Sequence, residues 1–341
     1  MDFRHAVILR ESHDGHGTGC FSVRNMRIAE SLGIEVPIVA TSSFFSEKSV
    51  PCCCECLRHL HSFSGFIENV CPDDSTILQS ELQEGSWRCS DCGMVFCSDC
   101  FRSGIPTHTL LCQGSDTTRG QANRSLKQLG IMHTISLPMV VRFISRLIVD
   151  GSEPLDGFPS PEGEYSYFAH HFLPETAAMR EAHVLSEVVL GRAIPLATFK
   201  RVFDTFEQTN LYLEIENGTM LRDIAAGVLS DLVVAKLKQR YSEGRFSAMV
   251  DESNHLPLPV VIGSGHYRTV ALLNHSCDPN IEWRSVDGTA RIEFVALRVI
   301  MAGEELFISY IDQSLPFPER QAELFRLYGF TCTCTKCRSG S

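Results

Sequence analysis

The residues best equipped for chemistry in this sequence are its cysteines, 15 among 341 residues. Eleven lie at or before Cys112, none between Cys112 and Cys277, and four at or after Cys277. The candidate ligands of the first group run as Cys53 and Cys56, Cys89 and Cys92, Cys97 and Cys100, then His108 and Cys112. A C-x2-C pair closes two thiolates on one tetrahedral Zn²⁺, because a tight turn brings both sulfurs to about 2.3 Å from the metal. Three such pairs followed by H-x3-C offer eight ligands, enough for two closed structural sites. The alternative is that some are buried apolar thiols. The first pair is the least determined, since Cys52, Cys53, Cys54 and Cys56 crowd together ahead of His59 and His61, with Cys71 a further candidate. The tail, Cys332-Thr333-Cys334-Thr335-Lys336-Cys337, supplies three ligands where a closed site needs four, and Cys277 is the other cysteine of the C-terminal third. Recruiting it would clip a distant loop to the tail. Otherwise Cys277 is a core thiol and the tail a disordered Cys-rich end.

The rest of the composition bounds what such sites serve. At 44% hydrophobic and 21% charged the chain reads as globular, with length for two or three domains. Thirty basic against 41 acidic residues give a formal charge of −11, the opposite of what phosphate neutralisation needs, so direct nucleic-acid binding is not expected. The densest basic cluster, Lys236 to Arg240, reads as the polar side of a helix. No apolar run approaches the roughly 20 residues of a membrane helix, and Ala6 to Leu9 is too short for a secretory signal. The expected location is therefore the cytoplasm, the nucleus or both, where clustered thiols read as metal ligands rather than disulfides.

The elements that must position these residues follow from periodicity. Ala6 to Leu9 reads as a strand leading into Gly15-His16-Gly17-Thr18-Gly19. The third glycine arrives one residue early for a G-x-G-x-x-G dinucleotide loop. The cysteine-free middle is mainly helical: Leu137 to Val149, Thr176 to Leu190, Leu196 to Phe206, and an i, i+3, i+4 stripe from Leu221 to Leu237. Gly151 to Glu164 is a loop rich in Pro, Gly and Asp. Short β-rich runs follow at Val260 to Ile262, Ile281 to Trp283, Ala290 to Leu297 and Leu306 to Ile311.

Two motif sets resemble known families. The order of the first eight ligands is similar to the MYND zinc finger, in which two sites interleave. That implies Cys53, Cys56, Cys97 and Cys100 on one ion and Cys89, Cys92, His108 and Cys112 on the other. The gap from Cys56 to Cys89 is longer than the family's, and Cys97 and Cys100 enclose two residues where the family more often has three. At the other end, Asn274-His275-Ser276-Cys277-Asp278-Pro279-Asn280, the run Gly303 to Tyr310 and the triplet Cys332, Cys334, Cys337 resemble the SET domain and its post-SET zinc tail, with Cys277 as fourth ligand. Together they are similar to the SET-and-MYND (SMYD) family of protein lysine methyltransferases. The implied fold is α+β: a split, pseudoknotted SET domain of small β-sheets with an inserted MYND-type finger, a helical insert and a zinc tail. Implied bounds are 1–48 for the N-terminal SET part, 49–115 for the finger, 116–250 for the insert, 251–314 for the SET core and 315–341 for the tail.

The same resemblance implies an S-adenosylmethionine (AdoMet)-dependent protein-lysine N-methyltransferase acting on a histone or another protein, with three structural Zn²⁺. Tyr310 and Tyr328 would line the site of transfer. His16, Gly17, Thr18, Gly19, Asn274, His275, Tyr310, Tyr328 and Phe330 would contact the cofactor, Phe330 on the adenine. Family members commonly carry a basic residue where His16 and Thr18 stand. Asn254 is a weak candidate for a further contact, and His170-His171 has no assigned chemistry. Lysine's pKa of ~10.4 leaves roughly one amine in 2,500 neutral at pH 7, so the site must favour the neutral amine by desolvation and align it. The competing reading is a zinc-dependent adaptor with little or no turnover, since MYND fingers resemble docking surfaces for proline-rich peptides. Many family members also continue into a helical C-terminal domain, whereas this chain stops four residues after Cys337. Either this is a short member, for which a more open peptide groove and looser substrate choice are the expectation, or the chain is truncated.

Overall fold

The structure, a computed structural model, describes residues 2–12, 17–43, 52–60, 85–112, 114, 116–151, 154–168, 173–215 and 261–340. After a 3₁₀ turn at Phe3–His5 come β1 (Val7–Glu11), β2 (Thr18–Ser22), β3 (Ser31–Glu35) and β4 (Val39–Ser42). A short ribbon, β5 (Trp87–Arg88) and β6 (Val95–Phe96), is followed by α1 (Ser98–Arg102) and α2 (Pro106–Leu111). The helical layer is α3 (Thr117–Met132), α4 (Ser136–Asp150), α5 (Ala177–Leu190) and α6 (Leu196–Thr209). Then come β7 (Leu211–Ile215), β8 (Val261–His266), β9 (Asn274–His275), β10 (Ile281–Val286), β11 (Arg291–Ala296), β12 (Glu305–Ile308), α7 (Phe317–Tyr328) and α8 (Thr335–Arg338). This is the mixed α+β architecture of small sheets that the motifs imply.

The sheets join residues far apart in the chain. One runs β1-β2-β12-β9, with β12 antiparallel to β2 and parallel to β9. The others run β10-β11-β3 and β4-β8-β7, so each contains strands from both ends of the described chain. Their shared core includes Phe3, Cys20, Leu32, Leu213, Tyr267, Phe294 and Leu306. A second core belongs to the helices, where Phe143 packs against Phe158, Tyr165, Phe168 and Phe206 at ring separations of 5.1 to 6.0 Å. Among the described residues no helix is long and apolar enough to cross a membrane.

The three helices read from periodicity in the described middle all appear, and capping residues mark both ends of α5 and the C-terminal end of α4. Thr176 caps α5 by accepting from Met179 N, and Gly191 closes it in the left-handed conformation, as Gly151 closes α4. The stripe from Leu221 to Leu237 and Asn254 lie outside the described residues, as do Gly15, His16, His61, Cys71, His170 and His171. The strand expected from Leu306 to Ile311 ends at Ile308. There Ser276 N donates to Ile308 O, and the chain bends so that Tyr310 leaves the sheet.

Leu57 and Gly263 show how the finger region is joined to the SET sheets. Leu57, fully buried in the SET-side core, takes a left-handed φ of 60°. A Cβ on Gly263 would lie 2.8 Å from Leu57 Cδ1 and 2.6 Å from Thr41 O, so the approach requires glycine. Ala290 N donates to Cys56 O at 2.8 Å, and the His59 ring shares a 2.9 Å hydrogen bond with Ile215 O. Cys52 belongs to the same core.

Candidate active site and metal clusters

Three four-residue clusters bring their ligand atoms within 4.8 Å of one another: Cys53, Cys56, Cys97 and Cys100; Cys89, Cys92, His108 and Cys112; Cys277, Cys332, Cys334 and Cys337. These are the groupings implied by the MYND and post-SET resemblances. A tetrahedron of sulfurs at about 2.3 Å from Zn²⁺ has edges near 3.8 Å. Cys56 Sγ to Cys97 Sγ and Cys89 Sγ to Cys112 Sγ are both 3.7 Å, and Cys92 Sγ to His108 Nε2 is 3.3 Å. Burial lowers the pKa of His108, keeping its ring in the neutral form a ligand needs. The donor sets fit three structural Zn²⁺. Among the crowded cysteines at the first pair, Cys52 turns into the SET core and Cys54 packs beside the finger cluster.

The finger elements are short because the ligands do the work of a core. The β5–β6 ribbon places Cys89 just after Arg88 and Cys97 just after Phe96. Cys97 also caps α1, its sulfur accepting from Cys100 N, so one thiol both starts the helix and fixes its partner ligand. Trp87 stacks on Phe101 at 5.0 Å and meets His108 edge-on at 5.4 Å.

The candidate active site forms where β9 and β12 run side by side, pairing Phe307 with Asn274 and Ile308 with His275. Asn280 pins the crossing from a fully buried position. Its Oδ1 accepts from Phe307 N at 2.8 Å and its Nδ2 donates to Glu305 O at 2.7 Å. On the opposite edge β2 brings Gly19 against the Glu305 side chain. Glu305 accepts from Ser12 Oγ at 2.9 Å and from Asn274 Nδ2 at 2.8 Å. Thus the Asn274 amide nitrogen is committed to Glu305, with Thr18 O a longer 3.4 Å acceptor.

Past the bend, Tyr310 N donates to His275 Nδ1 at 3.0 Å, so the remaining ring proton is on Nε2, 3.2 Å from Cys277 Sγ. The Tyr310 hydroxyl donates to Leu273 O at 2.5 Å, and Tyr328 OH donates to Tyr310 O at 3.4 Å. Tyr310 and Tyr328 lie 4.9 Å apart between ring centres, Tyr328 and Phe330 6.3 Å, and His275 and Phe330 6.0 Å. Burial raises both phenol pKa values, Tyr310's further, so both hydroxyls keep their protons at neutral pH. Beside this cluster a cleft of about 160 Å³ is lined by His275, Ser276, Phe307, Phe330, Cys332 and Thr335, among others.

The structure therefore gathers Asn274, His275, Tyr310, Tyr328 and Phe330 around one crossing, and brings Thr18 and Gly19 to it through Asn274 and Glu305. Gly17 has a φ of 75° and closes the loop by accepting from Ser12 N at 2.7 Å. Sequence reasoning did not single out Ser12, Glu305, Arg320 or Gln321 as site residues. Glu305 was visible inside the Gly-Glu-Glu-Leu run, whereas the helix that carries Arg320 and Gln321 had no strong periodic signal.

Comparison with known proteins agrees with this geometry. The SET domain family matches residues 94–311, more than half of the chain. A SET and MYND domain-containing protein of Dictyostelium discoideum is 43% identical over 75 residues, 22% of this chain and 14% of that protein. Mouse histone-lysine N-methyltransferase SMYD3 is 41% identical over 78 residues, 23% of this chain and 18% of its own length. Chicken protein-lysine N-trimethyltransferase SMYD5 is 24% identical over 356 residues, 94% of this chain and 83% of that protein. The first-ranked relatives are matched over less than two thirds of their own length. With its two ends folded into common sheets, three cysteine clusters and this family match, the chain belongs to the SET-domain family and is similar to SET-and-MYND proteins.

Proposed function

We propose that the protein is an AdoMet-dependent protein-lysine N-methyltransferase acting on a histone or non-histone protein. The observation that carries this reading is the gathering of Tyr310, Tyr328 and Phe330 around the β9–β12 crossing, next to a cleft walled by Phe330 and His275. The apolar ring of Phe330 and the strand backbone suit a nucleoside, and Gly17, ahead of β2, has open space where a side chain would stand. AdoMet, when bound, supplies a sulfonium methyl that a neutral amine can attack. Tyr310 and Tyr328 do the work of a channel. Their rings replace water around the incoming lysine stem, which favours the uncharged amine. With their protons retained and the Tyr310 hydrogen directed to Leu273 O, neither phenol acts as a base. Their oxygens instead offer lone pairs that orient the amine.

The test is calorimetric titration with AdoMet followed by methyl transfer to lysine peptide libraries. Saturable binding and labelled peptide support the reading. No binding at millimolar cofactor would replace it with the adaptor reading. For partners, the exposed Phe101 stacked on Trp87 supports a flat aromatic platform for proline-rich peptides on the finger. Loss of such binding in Phe101→Ala would check it. The acidic balance favours basic protein tails over nucleic acid, and reduced thiolate clusters suit the cytoplasm or nucleus.

A further inference from the structure

Arg320, on the second turn of α7, is 2% exposed and among the largest fully buried side chains of the molecule. Burying a guanidinium is costly unless anionic groups meet it. Its Nη1 donates to Leu315 O at 2.6 Å, and its Nη2 lies 3.8 Å from Cys337 Sγ. Cys337 shares a four-cysteine cluster with Cys277, Cys332 and Cys334, whose sulfurs would be thiolates on a bound metal. The next residue, Gln321, grips the same cluster. Its Oε1 accepts from Cys332 N at 2.9 Å, while its Nε2 donates to Cys332 O at 3.0 Å and to Cys337 Sγ at 3.2 Å. His275 Nε2–H completes the set at Cys277 Sγ, 3.2 Å away.

Four thiolates around one Zn²⁺ leave a formal charge of −2 on a buried centre. We propose that Arg320 is the counter-charge of this C-terminal centre and that, with Gln321, it clamps α7 onto the metal and so positions the aromatic wall of the cleft. A cation at van der Waals range halves the formal charge left in the low-dielectric interior. The Gln321 donor shares the lone pairs of Cys337 and makes that sulfur a weaker target for protons and electrophiles. The mechanical consequence follows from the sequence of α7. Arg320 and Gln321 seat its N-terminal half on the cluster, Tyr328 is its last residue, and Gly329, with a φ of 76°, turns the chain toward Phe330 and Cys332. Tyr328 and Phe330 are thus held between two points that both depend on the metal. Arg320 and Gln321 are positioning residues, since neither reaches the cleft lining.

The part that concerns the cleft rests on the AdoMet reading, while the clamp on the metal does not. The test therefore uses the full zinc-loaded chain with two separate readouts: zinc release to a chromogenic chelator, and AdoMet affinity by calorimetry. Arg320→Met is expected to release one of the three zincs about tenfold to a hundredfold faster than wild type, with the other two unchanged. It is also expected to weaken AdoMet by about tenfold or more, and Arg320→Lys should keep both within about threefold. Wild-type release from Arg320→Met, or equal losses in the Met and Lys variants, overturns the proposal. Should Arg320→Met fail to fold, Gln321→Glu carries the same test from a partly exposed position. Faster release supports the clamp and unchanged release overturns it. A chain that binds no AdoMet at all but shows the predicted release pattern counts against the methyltransferase reading and leaves the clamp standing.

Discussion

Gly19→Ala asks whether the glycine strand, Glu305 and Asn274 form one mechanical unit. An ideal Cβ at position 19 would lie 2.2 Å from Glu305 Oε1, 2.9 Å from its Cδ and 3.0 Å from Asn274 Nδ2. Ordinary contact is about 3.4 Å, so the carboxylate must retreat by about 1.2 Å. Both of its hydrogen bonds, to Ser12 Oγ at 2.9 Å and Asn274 Nδ2 at 2.8 Å, would then stretch beyond useful range. Each involves a charged acceptor and contributes about 1.5–3 kcal/mol. Losing both, with some rehydration of partly exposed Asn274, predicts a destabilisation of about 3 kcal/mol. The same substitution in a Glu305→Ala background meets no carboxylate and should cost under about 1 kcal/mol, a coupling of about 2 kcal/mol. Urea unfolding of the four proteins of this cycle measures it directly. AdoMet titration should show the displaced Asn274 as weakened binding in Gly19→Ala. Additivity within about 0.5 kcal/mol would refute the reasoning, because it would mean that residue 19 and Glu305 do not share the space the geometry assigns them.

Tyr310→Phe removes the donor to Leu273 O without disturbing the clusters, so methyl transfer should fall about a hundredfold or more with three zincs still counted. Leu57→Ala empties a fully buried position between finger and sheet and should cost about 2–5 kcal/mol in denaturant unfolding. Because Cys56 O receives Ala290 N–H next to it, Cys97→Ser should also lower the melting temperature of the SET sheets, and an unchanged melt would contradict a shared core. Two buried groups set opposite pH slopes. Desolvation pushes Glu35 up to about 7, so its folded form holds a proton and stability falls as pH rises from 4.5 through 7, by about 3 kcal/mol, a fall that Glu35→Gln should remove. His266 is fully buried and pushed down to about 3. It is held neutral between Tyr167 OH and Thr209 Oγ1, each 3.1 Å away. Its contribution is present above 6.5 and lost as pH falls below that, so His266→Phe should flatten the acid limb of a stability–pH curve.

Metal ligands are the most legible part of this site because their spacing is itself the geometry. A C-x2-C turn or C-x-C-x2-C tail is a local constraint, and Cys277 joins the latter through a motif that can be read in the chain. The helices α4, α5 and α6 are legible for a similar reason, since an apolar stripe is a local signal, joined by Thr176 and Gly191 at the ends of α5 and Gly151 at the end of α4. What could not be read depends on pairing across the chain. Helix α3, Thr117–Met132, buries only Gly120, Ala122, Leu126 and Leu129, too thin a stripe to stand out. Strands β3 and β4 owe their existence to β11 and β8, which lie hundreds of residues away. Nothing in the residues around Arg320 marks it for burial. Only the tertiary fold turns it inward, so a burial of this kind leaves no trace in periodicity.

The sheet order β1-β2-β12-β9 carries a consequence for how the protein is made. Residues 18–22 have no partner on one side until residues 305–308 leave the ribosome. At about 5–20 residues per second that wait lasts roughly 15–60 s. The helical layer, built from residues 117–209, has its contacts within reach much sooner. A nascent chain thus presents the open edge of β2 and the unfilled core around Cys20 and Leu32 while its helices are already packed. Long-range pairing of this kind is slow and exposed to aggregation. Dependence of yield on chaperones that shield strand edges is therefore written into the topology.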